Sequence, residues 1–213
     1  MTYFKESLFF DLKRRTDTSI RVKKNHQYIS NASTYLDADG LLYVASFTSV
    51  IKKTLEITLN IIGNDSFSRY QFIDLGCGKG KSIIFFLEKF IKTKKFNPIG
   101  IEYDERLYNI AKNNLFNICN YQKGDLDLIL DSATNLEKYV SSTNLVVYLY
   151  NSFQGETLNE VLRILKNFNH IIIYIDPAEE DKLINYNYKI IARNKGKYNA
   201  DTWTIAQRNF NEK

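Results

Sequence analysis

The sequence predicts an α/β protein built on one open, mostly parallel sheet. Three observations carry that expectation. A glycine-rich turn, Gly76-Cys77-Gly78-Lys79-Gly80, joins the strand-like run Gln71–Leu75 to the amphipathic run Ser82–Phe90. From there, short apolar runs alternate with segments whose apolar residues recur at helical spacing, the pattern of βαβ units. One of those runs, Leu145-Val146-Val147-Tyr148-Leu149-Tyr150, is apolar throughout, as a central strand covered on both faces must be.

Taken in order, residues 1–42 form a basic N-terminal extension or lid, and 43–213 form the main domain. A short helix is expected near Phe4–Arg14, and residues 31–40 are rich in turn formers. Between Tyr43 and Leu59 the positions Phe47, Val50, Ile51, Leu55 and Leu59 share one helical face, and Gly63-Asn64-Asp65 ends that helix. Strand one is Gln71–Leu75 and strand two is Pro98–Glu102. A helix over Glu105–Phe116 follows, with Leu107, Ile110, Ala111 and Leu115 on one face. A third strand is expected near Cys119–Lys123, running into Gly124-Asp125, and Leu128–Val140 is expected to be mostly helical. Strand four is Leu145–Tyr150, helix Glu156–Lys166 buries Leu158, Val161, Leu162 and Leu165, and strand five is His170–Ile175. Tyr188–Arg193 and Thr202–Arg208 complete seven strands around an Asn194-Lys195-Gly196 turn.

Composition narrows the class. A hydrophobic fraction of 44% and a charged fraction of 25% over 213 residues suit one soluble domain. No apolar stretch approaches the ~20 residues of a membrane span, and the N-terminus shows no signal-peptide pattern, so no membrane partner and a cytoplasmic location are expected. Cys77 and Cys119 form neither a disulfide framework nor a metal pattern. The net charge is +5, and Lys13, Arg14, Arg15, Arg21, Lys23 and Lys24 cluster early, as either a solvated arm or a polyanion-binding one.

The glycine turn carries the chemistry. Glycine accepts positive φ and leaves room for a ligand to touch backbone, and the helix start beyond it offers unpaired N–H groups. A Walker A loop would need a glycine at Leu75, and a dinucleotide fingerprint would need one at Lys81. Asp74-Leu75-Gly76-Cys77-Gly78-Lys79-Gly80 fits neither. The second strand ends in Glu102, roughly 20 residues on, where an acid suits the two hydroxyls of a ribose.

The Asp-x-Gly-x-Gly-x-Gly run closely resembles motif I of class I S-adenosylmethionine (SAM)-dependent methyltransferases. The likeness extends from about Tyr43 to the C-terminus and implies a Rossmann-like seven-stranded sheet with an antiparallel last strand. It implies that Gly76, Cys77, Gly78 and Gly80 pack against SAM and that Asp74 organises the loop and the cofactor amino group. Gly100-Ile101-Glu102-Tyr103 resembles the second motif, with Glu102 on the ribose. Gly124-Asp125 resembles the loop after strand three, which implies Asp125 at the adenine amino group and Leu126 on the ring.

Two further segments resemble a group of small bacterial methyltransferases. Tyr148-Leu149-Tyr150-Asn151-Ser152-Phe153 is similar to their hydrophobics-Asn-Pro-Phe signature, and distantly to the Asn-Asn-Phe of Dot1-type protein lysine methyltransferases. Tyr43-Val44-Ala45-Ser46 is similar to their Tyr-x-Pro-Thr segment, which implies Tyr43 and Ser46 at the methionine end of SAM. Asn151 is expected to hold the acceptor as well as to border the cofactor, with Tyr150 and Phe153 walling the site. A protein lysine or other amine is the first acceptor implied. A nucleic acid reached through the basic arm is the alternative, and a non-catalytic interaction module is a third reading. His170 is expected to be structural and His26 to be exposed.

Overall fold

Helices α1 (Tyr3–Arg14) and α2 (Thr48–Ile62) and the single turn α3 (Asn64–Phe67) precede the sheet. The chain then runs through β1 (Gln71–Leu75), α4 (Lys81–Phe90), β2 (Ile99–Glu102), α5 (Glu105–Cys119) and β3 (Asp127–Leu130). A 3₁₀ helix (Ala133–Lys138), β4 (Asn144–Tyr150), α6 (Gly155–Leu165), β5 (Asn169–Ile175) and α7 (Glu180–Asn185) follow. The chain ends with β6 (Tyr188–Asn194), a 3₁₀ turn (Asn199–Asp201) and β7 (Trp203–Arg208). This computed structural model describes residues 3–19, 43–90, 96–119 and 126–208.

The seven strands form one sheet in the order β3-β2-β1-β4-β5-β7-β6. β1 to β5 are parallel, and β7 runs antiparallel to both of its neighbours, β5 and β6. The Rossmann-like expectation therefore holds, including the reversed last strand. The pleat explains the two-sided core. In β4, Val146 and Tyr148 pack with α2 and α4, while Leu145, Val147 and Leu149 pack with α6. β1 divides in the same way, with Phe72 stacked on Phe86 of α4 at 4.2 Å and Ile73 on the α6 side. Phe72 and Phe86 are fully buried, and such ring pairs add about 0.5–1.5 kcal/mol beyond area burial.

α1 lies across α2 and α4. The Arg14 guanidinium donates to both oxygens of Glu88, at 2.7 and 2.6 Å, and Glu6 accepts the N–H and hydroxyl of Ser49. Ser7 and Phe10 face inward and are buried, so this part of the N-terminal extension is docked on the core.

Three local expectations are corrected. β3 occupies Asp127–Leu130, C-terminal to the segment expected for it, of which residues 120–125 lie outside the described residues. Leu128–Val140 is a strand and then a 3₁₀ helix, because Leu128 and Ile129 pair with Gly100 and Ile101 instead of turning as a helix. The connection between the last two strands is longer than a three-residue turn and contains the Asn199–Asp201 turn.

His170 is structural, as expected. It is buried, its Nδ1 meets the Phe168 carbonyl at 2.8 Å, and its Nε2 meets the Tyr188 hydroxyl. His26 lies outside the described residues.

Candidate functional site

The strand order reverses between β1 and β4, and ligands of open α/β sheets bind beyond the strand ends at such a reversal. The loops after β1, β2, β3 and β4 surround a cleft of ≈ 870 Å³ there, part of it open to solvent.

The glycine turn floors the cleft. Gly78 has φ of 55°, and a Cβ there would sit 2.3 Å from the Tyr43 ring. Only glycine allows that approach. The Tyr43 hydroxyl donates to the Thr18 carbonyl at 2.7 Å, so residues 18 and 43 together clamp the loop. At Gly76, with φ of 72°, a Cβ would strike the Ser152 side chain at 2.3 Å, which brings the loop after β4 onto the loop after β1. Gly80 faces elsewhere. It faces Ala111, where a Cβ would meet only ordinary contacts, and its φ of 81° is what favours glycine there.

Two acids stand at the strand ends. Glu102 accepts the backbone N–H of Gly78 at 2.7 Å and that of Asp104 at 2.9 Å. Asp74 accepts the Ser82 hydroxyl. Both are buried, and neither forms an ion pair among the described residues. Burial pushes the carboxyl of Asp74 up to about 7, against the Ser82 bond and with the Glu102 charge adding to it. Burial likewise pushes Glu102 up to about 7, against its backbone hydrogen bonds. Cys77, between them, is held protonated by its own burial and by the two acids, so it is a filler and not a nucleophile.

The walls come from non-local segments. Ser46 Oγ accepts the hydroxyl of buried Tyr148 at 2.9 Å, fixing the segment before α2 to β4. Ile101 and Leu107 supply an apolar side, and Asp131, Ser132 and Ala133 close the end beyond β3. Partial burial raises the Asp131 carboxyl, but bonds from Tyr139, Asn135 and the Ser132 N–H outweigh it and leave it below the ordinary carboxylate range.

The structure brings Tyr43, Ser46, Asp74, Gly76, Cys77, Gly78, Glu102, Tyr103, Tyr150 and Phe153 onto the cleft. Gly80, Leu126 and Asn151 do not line it. Leu126 is buried in the core with Cys77 and Leu115, and Asp125 lies outside the described residues. The loop after β3 begins at Asp131, and Asp131, Ser132 and Ala133 line the cleft. Asn151, at φ of 35°, donates to Asp176 at 3.0 Å and accepts from Gln154 at 2.9 Å. Its amide builds the loop after β4.

Sequence reasoning also missed Lys81, Ser82, Leu107 and Thr157, all on the cleft. The signal for Asp131 was present: Leu128-Ile129-Leu130-Asp131 repeats the apolar-run-then-acid form of β1 and β2. Among the described residues no cluster of His, Cys, Asp or Glu could hold a metal, and no helix is long and apolar enough to cross a membrane.

No protein-family model and no curated protein matches the chain. Solved structures do. A candidate methylase from Haemophilus influenzae matches with a TM-score of 0.53 and 16% identity, over 75% of this chain and 98% of its own. The methyltransferase domain of bacterial CtHen1 matches with a TM-score of 0.52 and 14% identity, over 74% and 99%. A candidate rRNA methylase from Clostridium thermocellum matches with a TM-score of 0.51 and 14% identity, over 72% and 94%. Each spans nearly its whole length on this chain, which shows a shared fold.

Proposed function

We propose that this chain binds SAM and transfers its methyl group to an acceptor. The carrying observation is the Glu102–Gly78 bond, which joins a ribose-suited acid to a glycine turn inside a cleft. The residues present suit the cofactor: two buried carboxyls, with no cation paired to them among the described residues, face space that a cationic, hydroxyl-bearing ligand would fill.

Bound there, the cofactor supplies a methyl on a sulfonium, whose displacement leaves a neutral thioether. The chain's part is alignment and exclusion of water. Glu102 has acceptor capacity for ribose hydroxyls, and Gly76 and Gly78 let the ligand lie on backbone. Ile101 and Leu107 offer an apolar side to a flat base next to Ser132 and Ala133. Tyr150 and Phe153 line the cleft and orient the acceptor. Positioning of this kind can supply roughly 7–11 kcal/mol of the barrier.

A nucleic-acid acceptor is the reading favoured over a protein amine. The outward face of α1 carries exposed Lys5 and Lys13 beside Phe9, which is 62% exposed, and Leu12, and exposed Arg15 follows the helix. Cations for phosphates and a ring for a base suit single-stranded nucleic acid. Of the residues behind the amine reading, Asn151 has its amide engaged by Asp176 and Gln154.

Calorimetric titration of S-adenosylhomocysteine into wild type and Glu102→Ala tests the cofactor. Micromolar binding that weakens at least about tenfold in the variant, ~1.4 kcal/mol, is expected. Absence of binding to folded wild type would sink the proposal. Anisotropy of labelled single-stranded RNA across a salt series, on wild type and Lys13→Ala/Arg15→Ala, tests the acceptor class. Binding insensitive to both salt and substitution would reject it.

A further inference from the structure

The connection between β6 and β7 carries charge that the cleft does not use. Residues 193–201 read Arg-Asn-Lys-Gly-Lys-Tyr-Asn-Ala-Asp, three cations to one acid. Arg193, Lys195 and Lys197 are exposed, and none forms an ion pair among the described residues. Tyr198 is 59% exposed, with the Lys197 ammonium 5.5 Å from its ring.

The loop holds its own shape. The Asn194 amide donates to the Asp201 carbonyl at 2.8 Å, and the Gly196 N–H donates to the Thr202 hydroxyl at 3.2 Å. The Tyr198 N–H donates to the Asp201 carboxylate at 2.7 Å, and the Tyr198 carbonyl accepts the Thr202 hydroxyl at 3.1 Å. A Cβ at Gly196 would strike the Asp201 carbonyl 2.6 Å away, so the loop closes on Asp201 only with glycine there. The acid of the loop is thus turned onto the loop's own backbone. Glu179 and Glu180, at the start of α7, are engaged as well: Glu179 meets Lys182 and the Gly155 N–H, and Glu180 accepts the Thr204 hydroxyl.

Strand register places this loop at the cleft's end of the sheet. Tyr150 pairs with Ile175, Ile175 with Trp203, and Trp203 with Asn194. Tyr150 lines the cleft, and three strand spacings of about 4.8 Å put the start of the loop roughly 14 Å from it along the sheet. Lys53 of α2, also exposed, stands 5.5 Å from the Trp203 ring in that row.

We propose that the β6–β7 loop binds the strand flanking the target nucleotide of a single-stranded nucleic acid, with Lys195 and Lys197 on phosphates and Tyr198 stacked on a base. The inference rests on the nucleic-acid reading above. Phosphates recur along such a strand and every base offers a flat face, so cations beside an exposed ring suit it whatever its sequence. An acidic peptide would use the charges and leave the ring idle. The loop's internal hydrogen bonds fix its shape beforehand, so little ordering is lost on binding. Its distance from the cleft extends the footprint beyond the target nucleotide.

The test is fluorescence anisotropy of labelled single-stranded RNA across a salt series. Lys195→Ala/Lys197→Ala should reduce the slope of log affinity against log salt by about 1.4, two contacts at about 0.7 each. Tyr198→Ala should weaken binding about tenfold, the scale of a lost base stack, with the slope unchanged. Tyr198→Phe keeps the ring and should bind as wild type does. Unchanged S-adenosylhomocysteine affinity shows an intact cleft in each variant. RNA binding by the folded loop variants that matches wild type in affinity and slope would overturn the loop surface and leave the nucleic-acid reading standing. Displacement of the RNA by polyglutamate as readily as by an unlabelled oligonucleotide of equal charge would overturn the assignment to nucleic acid. A wild type that binds S-adenosylhomocysteine but no RNA would overturn the loop surface and the nucleic-acid acceptor together, and leave the cofactor reading standing.

Discussion

Glu102 accepts the amide proton of Gly78, so the acid that ends β2 also pins the turn that follows β1. One side chain thereby shapes the floor of the cleft and faces into it. Replacing it should show both roles separately. In Glu102→Ala the Gly78 amide loses its acceptor, and its hydrogen exchange should accelerate in the ligand-free protein. Exchange as slow as in wild type, measured by NMR, would mean that the turn is held by other contacts.

Gly78→Ala should destabilise the fold by about 1–3 kcal/mol, the range for a non-glycine residue held at a sparsely populated backbone angle. The new methyl also meets the Tyr43 ring. Adding Tyr43→Ala should recover part of the loss, because it removes the collision but not the backbone strain. Urea melts of the single and double variants measure both; a double variant no better than Gly78→Ala would show that the ring yields freely.

The buried acids make the stability of the fold sensitive to pH. Asp74 has a folded-state value of about 7 against an ordinary 3.8, so the folded protein binds more protons than the unfolded chain between them. The stabilisation this provides is complete below about pH 4 and is lost as pH rises through 7. His170, buried and drawn down to about 4, works the other way: its contribution is lost as pH falls from 6.5 toward 4. A raw melting profile mixes the two, and a difference isolates one. The melting temperature of Asp74→Asn minus that of wild type should grow from pH 5 to pH 8, and a constant difference would refute the shift.

Asn151→Ala should leave S-adenosylhomocysteine affinity within about twofold of wild type, since the amide faces Asp176 and Gln154 and not the cleft. Its loop should loosen, at a cost of about 1 kcal/mol for the lost hydrogen bonds. A tenfold loss of affinity by calorimetry would place Asn151 on the cofactor.

What was legible in the sequence was local. Asp74, Gly76, Gly78 and Glu102 sit within short runs whose spacing alone implies a strand, a turn and a ligand. Tyr150 and Phe153 followed from their place after an unmistakable central strand. Misreadings arose where partners are distant in the chain. β3 is an edge strand whose four residues are exposed or half-buried, so Leu128-Ile129-Leu130 lacks the pattern of a covered strand and reads equally well as helix. The loop after β3 accordingly begins at Asp131. The partner of Asn151 was not legible, because Asp176 lies 25 residues away. Lys81 was passed over because its burial beneath Ser7 and Phe10 depends on α1, which nothing near Lys81 in the chain announces.

The hydrogen bond from Tyr43 to Thr18 joins two points 25 residues apart. The same ring lies against Gly78, so a pull at Thr18 reaches the turn through one side chain, and the end of the N-terminal helical segment and the glycine turn should loosen together under urea.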